Sequence, residues 1–95
     1  MSEGALSQIT DNTGQNRFEM PVEGHTAFVT YRRSPQAIAL LHAEVPRELE
    51  GRGIGSRLAK ATLDQVRAEG LKVVPRCSFI AAFIQRHPEY QDLLA

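Results

Sequence analysis

The chain has 95 residues, with 11 Lys and Arg against 11 Asp and Glu, so its formal charge at pH 7 is zero. This length and an apolar fraction of 42% suit one compact domain and exclude a disordered or fibrous chain. Because nucleic-acid binding uses clustered basic residues, the neutral charge argues against nucleic acid as a partner. No apolar run is long enough to span a membrane. The single cysteine, Cys77, excludes an internal disulfide framework and a multi-cysteine metal site.

The first 15 residues are polar and have no hydrophobic period. We expect residues 1–15 to form a flexible lead-in and residues 16–95 to form a single domain. The N-terminus also lacks the basic start and the apolar stretch of a secretory signal peptide. Together with the single cysteine, this favours a cytoplasmic location.

The first part of the domain predicts strands. Residues 17–20 and 25–32 are strand-like, and residues 21–24 (Pro-Val-Glu-Gly) predict the turn between them. Residues 37–45 are apolar at nearly every position, which favours a central strand covered on both faces, although periodicity alone does not exclude a helix. Pro46 ends this run.

An amphipathic helix over residues 54–69 is the best-marked element. Its apolar side chains gather on one side and its charged side chains on the other, and Gly70 is a typical C-terminal stop. Residues 71–75 then predict a short strand. Because strand, helix and strand follow in this order, we expect a right-handed crossover between two parallel strands.

The C-terminal part predicts a second helix over residues 79–87, with Ser78 as its N-cap. Pro88 ends that helix, and residues 88–94 predict one further helical turn with proline at its first position. The fold class is therefore predicted as α/β (α+β), a small mixed sheet that is mostly antiparallel, with one parallel strand pair and two main helices.

A glycine-rich turn links the apolar strand to the amphipathic helix. Gly51, Gly53 and Gly55 alternate along it, and Arg52 and Ser56 add a cation and a hydroxyl. Glycines permit unusual dihedral angles and a close approach to the backbone, and a helix N-terminus favours negative charge. We interpret the turn as a pyrophosphate site; a purely structural turn is the alternative. The turn lacks the Gly-Lys-Ser/Thr of a nucleoside triphosphatase and the G-x-G-x-x-G spacing of a dinucleotide-binding domain.

This turn resembles the acetyl-coenzyme A (acetyl-CoA) pyrophosphate loop of GNAT-fold N-acetyltransferases, written Gln/Arg-x-x-Gly-x-Gly/Ala. The chain is similar to the small GNAT-like family of roughly a hundred residues, and the resemblance covers about residues 16–94. The matching features are Asn16 to Glu19, Ala27, Tyr31, His42 to Pro46, Gly51 to Gly55, Leu71 to Pro75, Cys77 to Ile80 and His87 to Tyr90.

The resemblance implies a minimal GNAT fold in which the strands at residues 37–45 and 71–76 splay apart and hold the pantetheine arm of acetyl-CoA or CoA between them. The implied cofactor-binding residues are Val45, Gly51, Arg52, Gly53, Ile54, Gly55, Ser56, Cys77 and Phe83. Two positions depart from the family pattern. Glu50 stands where the family has Gln or Arg, and Phe83 stands where the small family often has Tyr, so no hydroxyl is available there to donate a proton.

Glu44, near the end of the apolar strand, is the candidate general base for an incoming ammonium. The alternative is a solvated carboxylate with no catalytic part. His42 lies two residues earlier, so we expect it to share the face of the sheet with Glu44. A hydrogen-bonded core histidine is the other interpretation of His42.

Cys77 follows the second parallel strand and precedes the second helix, where a helix N-terminus favours the thiolate form. It is a candidate catalytic residue, either as a nucleophile or as a thiol that lines the acetyl pocket; a small buried residue is the alternative. Tyr90 is a candidate proton donor, or else an anchor for the C-terminal turn.

The leading functional hypothesis is an acetyl-CoA-dependent N-acetyltransferase that transfers acetyl directly, within a ternary complex, to a small-molecule or peptide amine. A non-catalytic CoA-binding or regulatory module is the alternative from another class. A partner-binding domain whose glycines only shape a turn is a third. No metal, nucleic acid or membrane partner is predicted.

Overall fold

The computed structural model describes residues 9–95, which form a sheet of five strands in the spatial order β1-β2-β3-β4-β5. The strands are Thr10–Asn12 (β1), Arg17–Val22 (β2), His25–Arg33 (β3), Ala37–Glu44 (β4) and Lys72–Pro75 (β5). The α-helices are Ile54–Ala68 (α1) and Ser78–Arg86 (α2), and 3₁₀ helices lie at Arg47–Leu49 (η1) and Pro88–Leu93 (η2). Neighbouring strands are antiparallel except β4 and β5, which are parallel. The predicted mixed sheet and two main helices are confirmed.

Strand β1 lies within the segment expected as a lead-in. It pairs antiparallel with β2, from Thr10 opposite Glu19 to Asn12 opposite Arg17. Asp11 accepts hydrogen bonds from the hydroxyl of Tyr31, at 2.5 Å, and from the guanidinium of Arg33, at 2.7 Å. Residues 10–12 therefore belong to the sheet and not to a flexible lead-in. Residues 1–8 of that expected lead-in lie outside the described residues.

The β2–β3 hairpin has a tighter turn than the sequence predicts. Pro21 and Val22 continue β2, and only Glu23 and Gly24 form the loop. Both loop residues have positive φ, 50° and 80°. This is typical of a two-residue type I′ hairpin turn, whose twist matches that of the strands.

The sheet buries one face against the helices. Its buried side chains are Phe18, Met20, Ala27, Val29, Tyr31, Ile38, Leu40 and Val73, and the apolar faces of α1 and α2 join the same core. The expectation that β4 is covered on both faces is wrong. Tyr31 pairs with Leu40 while Thr30 pairs with His42, so Leu41 is an extra residue in β4. After this bulge, His42 and Glu44 project from the side opposite the core and are exposed.

The parallel pair β4 and β5 separates after a short contact. The pairing runs from Ala37 opposite Lys72 to Leu40 opposite Pro75. The carbonyl of Leu40 then accepts from the backbone N–H groups of Arg76 and Cys77, at 3.0 and 2.9 Å. Beyond this point β4 continues to Glu44, whereas β5 has ended. The predicted splayed strand pair is confirmed, and it opens next to the chain that leads into α1.

No helix within residues 9–95 has the length and apolar character needed to cross a membrane.

Candidate functional site

The glycine loop, residues 50–56, owes its shape to two glycines. Gly51 and Gly53 have φ of 84° and 73°, in the left-handed region that other residues adopt with strain. Gly53 is also the N-cap of α1. A Cβ added at either glycine would meet no atom of the described residues within 4 Å. The backbone turn therefore requires these glycines, and it leaves open space over the loop.

Glycine is needed at position 55 for a different reason, the packing of α1 against α2. Its φ is not positive, but a Cβ there would lie 3.0 Å from Cζ of Phe79 at the start of α2. This is closer than ordinary van der Waals contact, so Gly55 lets the first turn of α1 pack against the Phe79 ring. The sequence motif alone did not reveal this, because the contact depends on how α2 lies against α1. Gly55 therefore also has a packing role, and its predicted contact with the cofactor stays a prediction.

The N-terminal end of α1 faces the open space with unpaired amides. The first helical hydrogen bond runs from the N–H of Arg57 to the carbonyl of Gly53, at 3.2 Å. The N–H groups of Ile54, Gly55 and Ser56 precede it, and the N-cap residue, Gly53, has no side chain that could accept a hydrogen bond from them. The first turn contains no acidic residue. Because the helix dipole adds to these amides, the loop suits a diphosphate.

The other loop residues divide into buried and exposed positions. The Ile54 side chain is 3% exposed and belongs to the core, so only its backbone is available to a ligand. Ser56 and Glu50 are exposed. Arg52 is not a free cation, because its Nη1 donates to Oε1 of Glu23 in the β2–β3 turn, at 2.5 Å.

The unpaired end of β4, which borders the gap between β4 and β5, comes shortly before the glycine loop in the sequence. In residues 9–95, no strand pairs with the last four residues of β4 on the β5 side. Val45 follows directly and is half-buried against the core. Cys77 lies where the two strands part, with 9% of its surface exposed. It, and not Ser78, is the N-cap of α2, and its thiol makes no capping hydrogen bond.

His42 and Glu44 lie together on the face of the sheet that the helices do not cover. His42 Nε2 is 3.1 Å from Oε1 of Glu44, and their side chains are 61% and 58% exposed. The prediction that they share a face is confirmed, and the alternative of a core histidine is wrong. The apolar run predicted burial, but the bulge at Leu41 turns His42 outward.

The hydroxyl of Tyr90 is hydrogen-bonded to side chains of α1. Its hydroxyl donates to Oδ1 of Asp64 on α1, at 2.7 Å, and lies 3.3 Å from Nζ of Lys60. Burial, together with the bond to Asp64, raises the pKa of Tyr90. The structure thus confirms the anchoring interpretation of Tyr90.

The ring of Phe83 is 3% exposed and stacks on His87 with centroids 3.9 Å apart. Its predicted contact with a ligand stays a prediction.

A groove of about 410 Å³ lies elsewhere, between α2 and the C-terminal residues. Its lining residues are Pro75, Ser78, Ala81, Ala82, Ile84, Gln85, Gln91 and Leu94. None of the predicted cofactor-binding residues lines it. The glycine loop and the strand gap form an open surface, and we place the candidate site there on the basis of backbone geometry. Within residues 9–95, no three His, Cys, Asp or Glu residues come together as a metal-ligand set.

Comparison with known proteins identifies the family. The family model described as GCN5-related N-acetyl-transferase matches residues 17–93, which include the glycine loop, both splayed strands and Tyr90. The chain belongs to this family, known as GNAT. Its members in general use acetyl-CoA and act on amine acceptors.

Two relatives and one solved structure are similar to the chain over most of its length. Protein NATD1 of the mouse is 43% identical over 96 aligned residues, and Protein NATD1 of the chicken is 32% identical. Each alignment covers 98% of this chain and 87% of the relative. The solution NMR structure of a GCN5-like protein from Staphylococcus aureus superimposes with a TM-score of 0.68 at 31% identity. That match covers 95% of this chain and 91% of the other, so this GNAT chain has the fold of a small GNAT protein.

Proposed function

We propose that this GNAT chain is an acetyl-CoA-dependent N-acetyltransferase that transfers acetyl directly to an amine within a ternary complex. The observation that carries the proposal is the open, uncapped N-terminus of α1 above Gly51 and Gly53. Unpaired N–H groups at a helix N-terminus bind phosphate oxygens. The family in general uses acetyl-CoA, which supports acetyl-CoA as the source of that diphosphate.

The residues beside the loop suit the rest of the ligand. Bound acetyl-CoA supplies the acetyl group as an activated thioester. Backbone groups of β4 that β5 does not pair are available to hydrogen-bond an amide-containing arm. Val45 lies at the end of that stretch, and Cys77 lies where the gap closes. In this proposal both residues line the arm, and Cys77 borders the acetyl end.

Glu44 is the proposed general base. Its exposed carboxylate accepts one proton from the acceptor ammonium, which leaves a neutral amine. The new N–C bond forms as the thioester C–S bond breaks. A second proton of the former ammonium goes to the departing sulfur, so the products are an amide and a thiol. Direct transfer requires no bond to Cys77.

A non-catalytic acetyl-CoA-binding module is the second candidate function. It is favoured by the position of the groove of about 410 Å³, which lies between α2 and the C-terminal residues and is lined by none of the loop residues. In this alternative, the same loop binds the ligand and no acetyl group is transferred.

Two experiments test these proposals. Isothermal titration with acetyl-CoA tests binding, and absence of binding contradicts both candidates. Mass spectrometry of an amine panel incubated with the chain and acetyl-CoA then detects acetylated products, with Glu44→Gln and Cys77→Ala as variants. We expect Glu44→Gln to lose most activity and Cys77→Ala to retain turnover. A stoichiometric acetyl-Cys77 adduct that passes acetyl to an added amine would replace direct transfer by a covalent route.

A further inference from the structure

Phe79 is a partly exposed aromatic residue to which the proposed function gives no role. It is the second residue of α2, and 37% of its surface is exposed. The other large apolar side chains of residues 9–95 that are exposed to this degree are Leu41 and Leu94. A single exposed apolar side chain needs no explanation by itself, so the surroundings of the Phe79 ring decide what it can do.

The tip of the Phe79 ring lies against the first turn of α1. An ideal Cβ at Gly55 would lie 3.0, 3.6 and 3.7 Å from Cζ, Cε2 and Cε1 of the ring. Gly55 belongs to the turn whose unpaired N–H groups are proposed to bind the diphosphate. The ring therefore borders the place proposed for the diphosphate.

Phe79 also lies close to the end at which the strand gap closes. Cys77, two residues earlier, is held where β4 and β5 part, because its N–H donates to the carbonyl of Leu40 at 2.9 Å. Phe79 is in the first turn of the helix that begins there. A ligand that runs from the glycine loop into the gap therefore passes the ring between its diphosphate and its amide-containing arm.

CoA has a branched hydrocarbon group in this part of the molecule. Its pantoyl unit carries two methyl groups on the carbon next to the CH₂–O–phosphate group, ahead of the first amide of the arm. The nucleoside lies on the other side of the diphosphate. Aromatic rings supply a large apolar surface, and covering methyl groups with such a surface removes both from water.

We propose that Phe79 is a cofactor-binding residue, and that its exposed ring covers the two pantoyl methyl groups of CoA. This inference rests on the proposed function, which places the diphosphate at the N-terminus of α1. Gly55 is a positioning residue in this arrangement, because a side chain at position 55 would displace the ring from the first turn of α1.

Calorimetric titration of the full chain with CoA measures the contribution of the ring. We expect Phe79→Ser to lower the affinity about tenfold, the loss that corresponds to returning two methyl groups to water. Phe79→Leu keeps hydrocarbon at this position, so it should lower the affinity about threefold or less. Leu94→Ser is the matched control and should stay within about twofold, since it removes an apolar side chain that is 41% exposed and lines the groove beyond α2.

An NMR measurement distinguishes a direct contact from a structural role of Phe79. In the complex of the ¹³C-labelled chain with unlabelled CoA, we expect isotope-filtered NOEs between the Phe79 ring protons and the two pantoyl methyl groups. The ring also shifts the resonances of these methyl groups on binding. That shift should disappear in Phe79→Leu, which has no aromatic ring at this position.

The outcomes separate this inference from the proposed function. Absence of CoA binding by the unsubstituted chain contradicts the proposed function, and the inference fails with it. Binding that is equally strong in Phe79→Ser, or ring NOEs to the adenine protons of CoA instead, overturns the inference while the diphosphate site stands. A loss of affinity in Phe79→Leu as large as in Phe79→Ser also overturns it, because a hydrocarbon contact would survive that change.

Discussion

Glu23 holds Arg52 at the edge of the glycine loop through a hydrogen bond of 2.5 Å between Oε1 and Nη1. The two residues are 29 positions apart in sequence, and their bond connects the β2–β3 turn to the loop before α1. Both side chains are at least half exposed. Arg52 therefore already has an anionic partner, and a diphosphate at the loop competes with Glu23 for it.

Removing this competitor should strengthen ligand binding. We expect Glu23→Gln to raise the affinity for CoA about two- to fivefold, since exposed ion pairs are worth up to about 1 kcal/mol. Calorimetric titration with CoA measures the change, with Glu89→Gln as a control for the loss of one remote negative charge. An affinity that falls or stays constant in Glu23→Gln would show that Arg52 does not meet the ligand.

The open space above Gly53 allows a second prediction. Asn tolerates the left-handed backbone that Gly53 adopts, so Gly53→Asn should cost about 1 kcal/mol of stability or less. Its side chain would enter the space over the loop and lower CoA affinity at least about tenfold. Gly70→Asn is the matched control, because Gly70 has φ of 74° beyond the other end of α1 and equally open surroundings. Equal affinities in the two variants would exclude the loop from the site.

Thr62 offers a test of the core. Its side chain on α1 is fully buried, and its hydroxyl has no hydrogen-bond partner among the described residues. We expect Thr62→Val to raise the free energy of unfolding by about 1 kcal/mol, because the shape is kept and an unpaired polar group is removed. Urea unfolding measures this, with Thr26→Val at an exposed strand position as the control. A destabilised Thr62→Val would reveal a partner for the hydroxyl.

The Tyr90–Asp64 bond predicts a loss of stability at high pH. Burial and the bond to Asp64 raise the pKa of Tyr90 in the folded chain, so the folded state holds this proton more tightly than the unfolded state. The stabilising contribution is complete below pH about 10, the unfolded value, and is lost as pH rises through the folded value. Urea unfolding between pH 8 and 11 should show a steeper decline than in Tyr90→Phe. Parallel declines would contradict the assignment.

Local signals made the glycine loop and the C-terminal half predictable from sequence. The period of α1, Pro46 before η1 and Pro88 at the start of η2 are local signals, and each predicted end of the two α-helices lies within about one residue of the observed end. The role of Gly55 was not predictable, because it depends on Phe79, 24 positions away. Likewise, the N-cap of α2 moved from the predicted Ser78 to Cys77, since the backbone of Cys77 is fixed by Leu40.

The sheet was less predictable where its strands are polar or irregular. Strand β1 has no apolar alternation and exists through its pairing with β2 and through Asp11, which binds Tyr31 and Arg33. The bulge at Leu41 has no signal in an unbroken apolar run, yet it decides that His42 and Glu44 face outward. For this reason Glu44 was predicted as a candidate site residue and His42 was expected on the same face, whereas the apolar run gave no sign that His42 is exposed.

Binding of the diphosphate at the N-terminus of α1 is tested most directly by an amide NMR titration of the ¹⁵N-labelled chain with CoA. We expect the largest chemical-shift changes on the N–H groups of Gly53, Ile54, Gly55 and Ser56, which lead into and form the first turn of α1. Changes that are absent there and concentrate on Ser78 and Gln85, in the groove beyond α2, would contradict it.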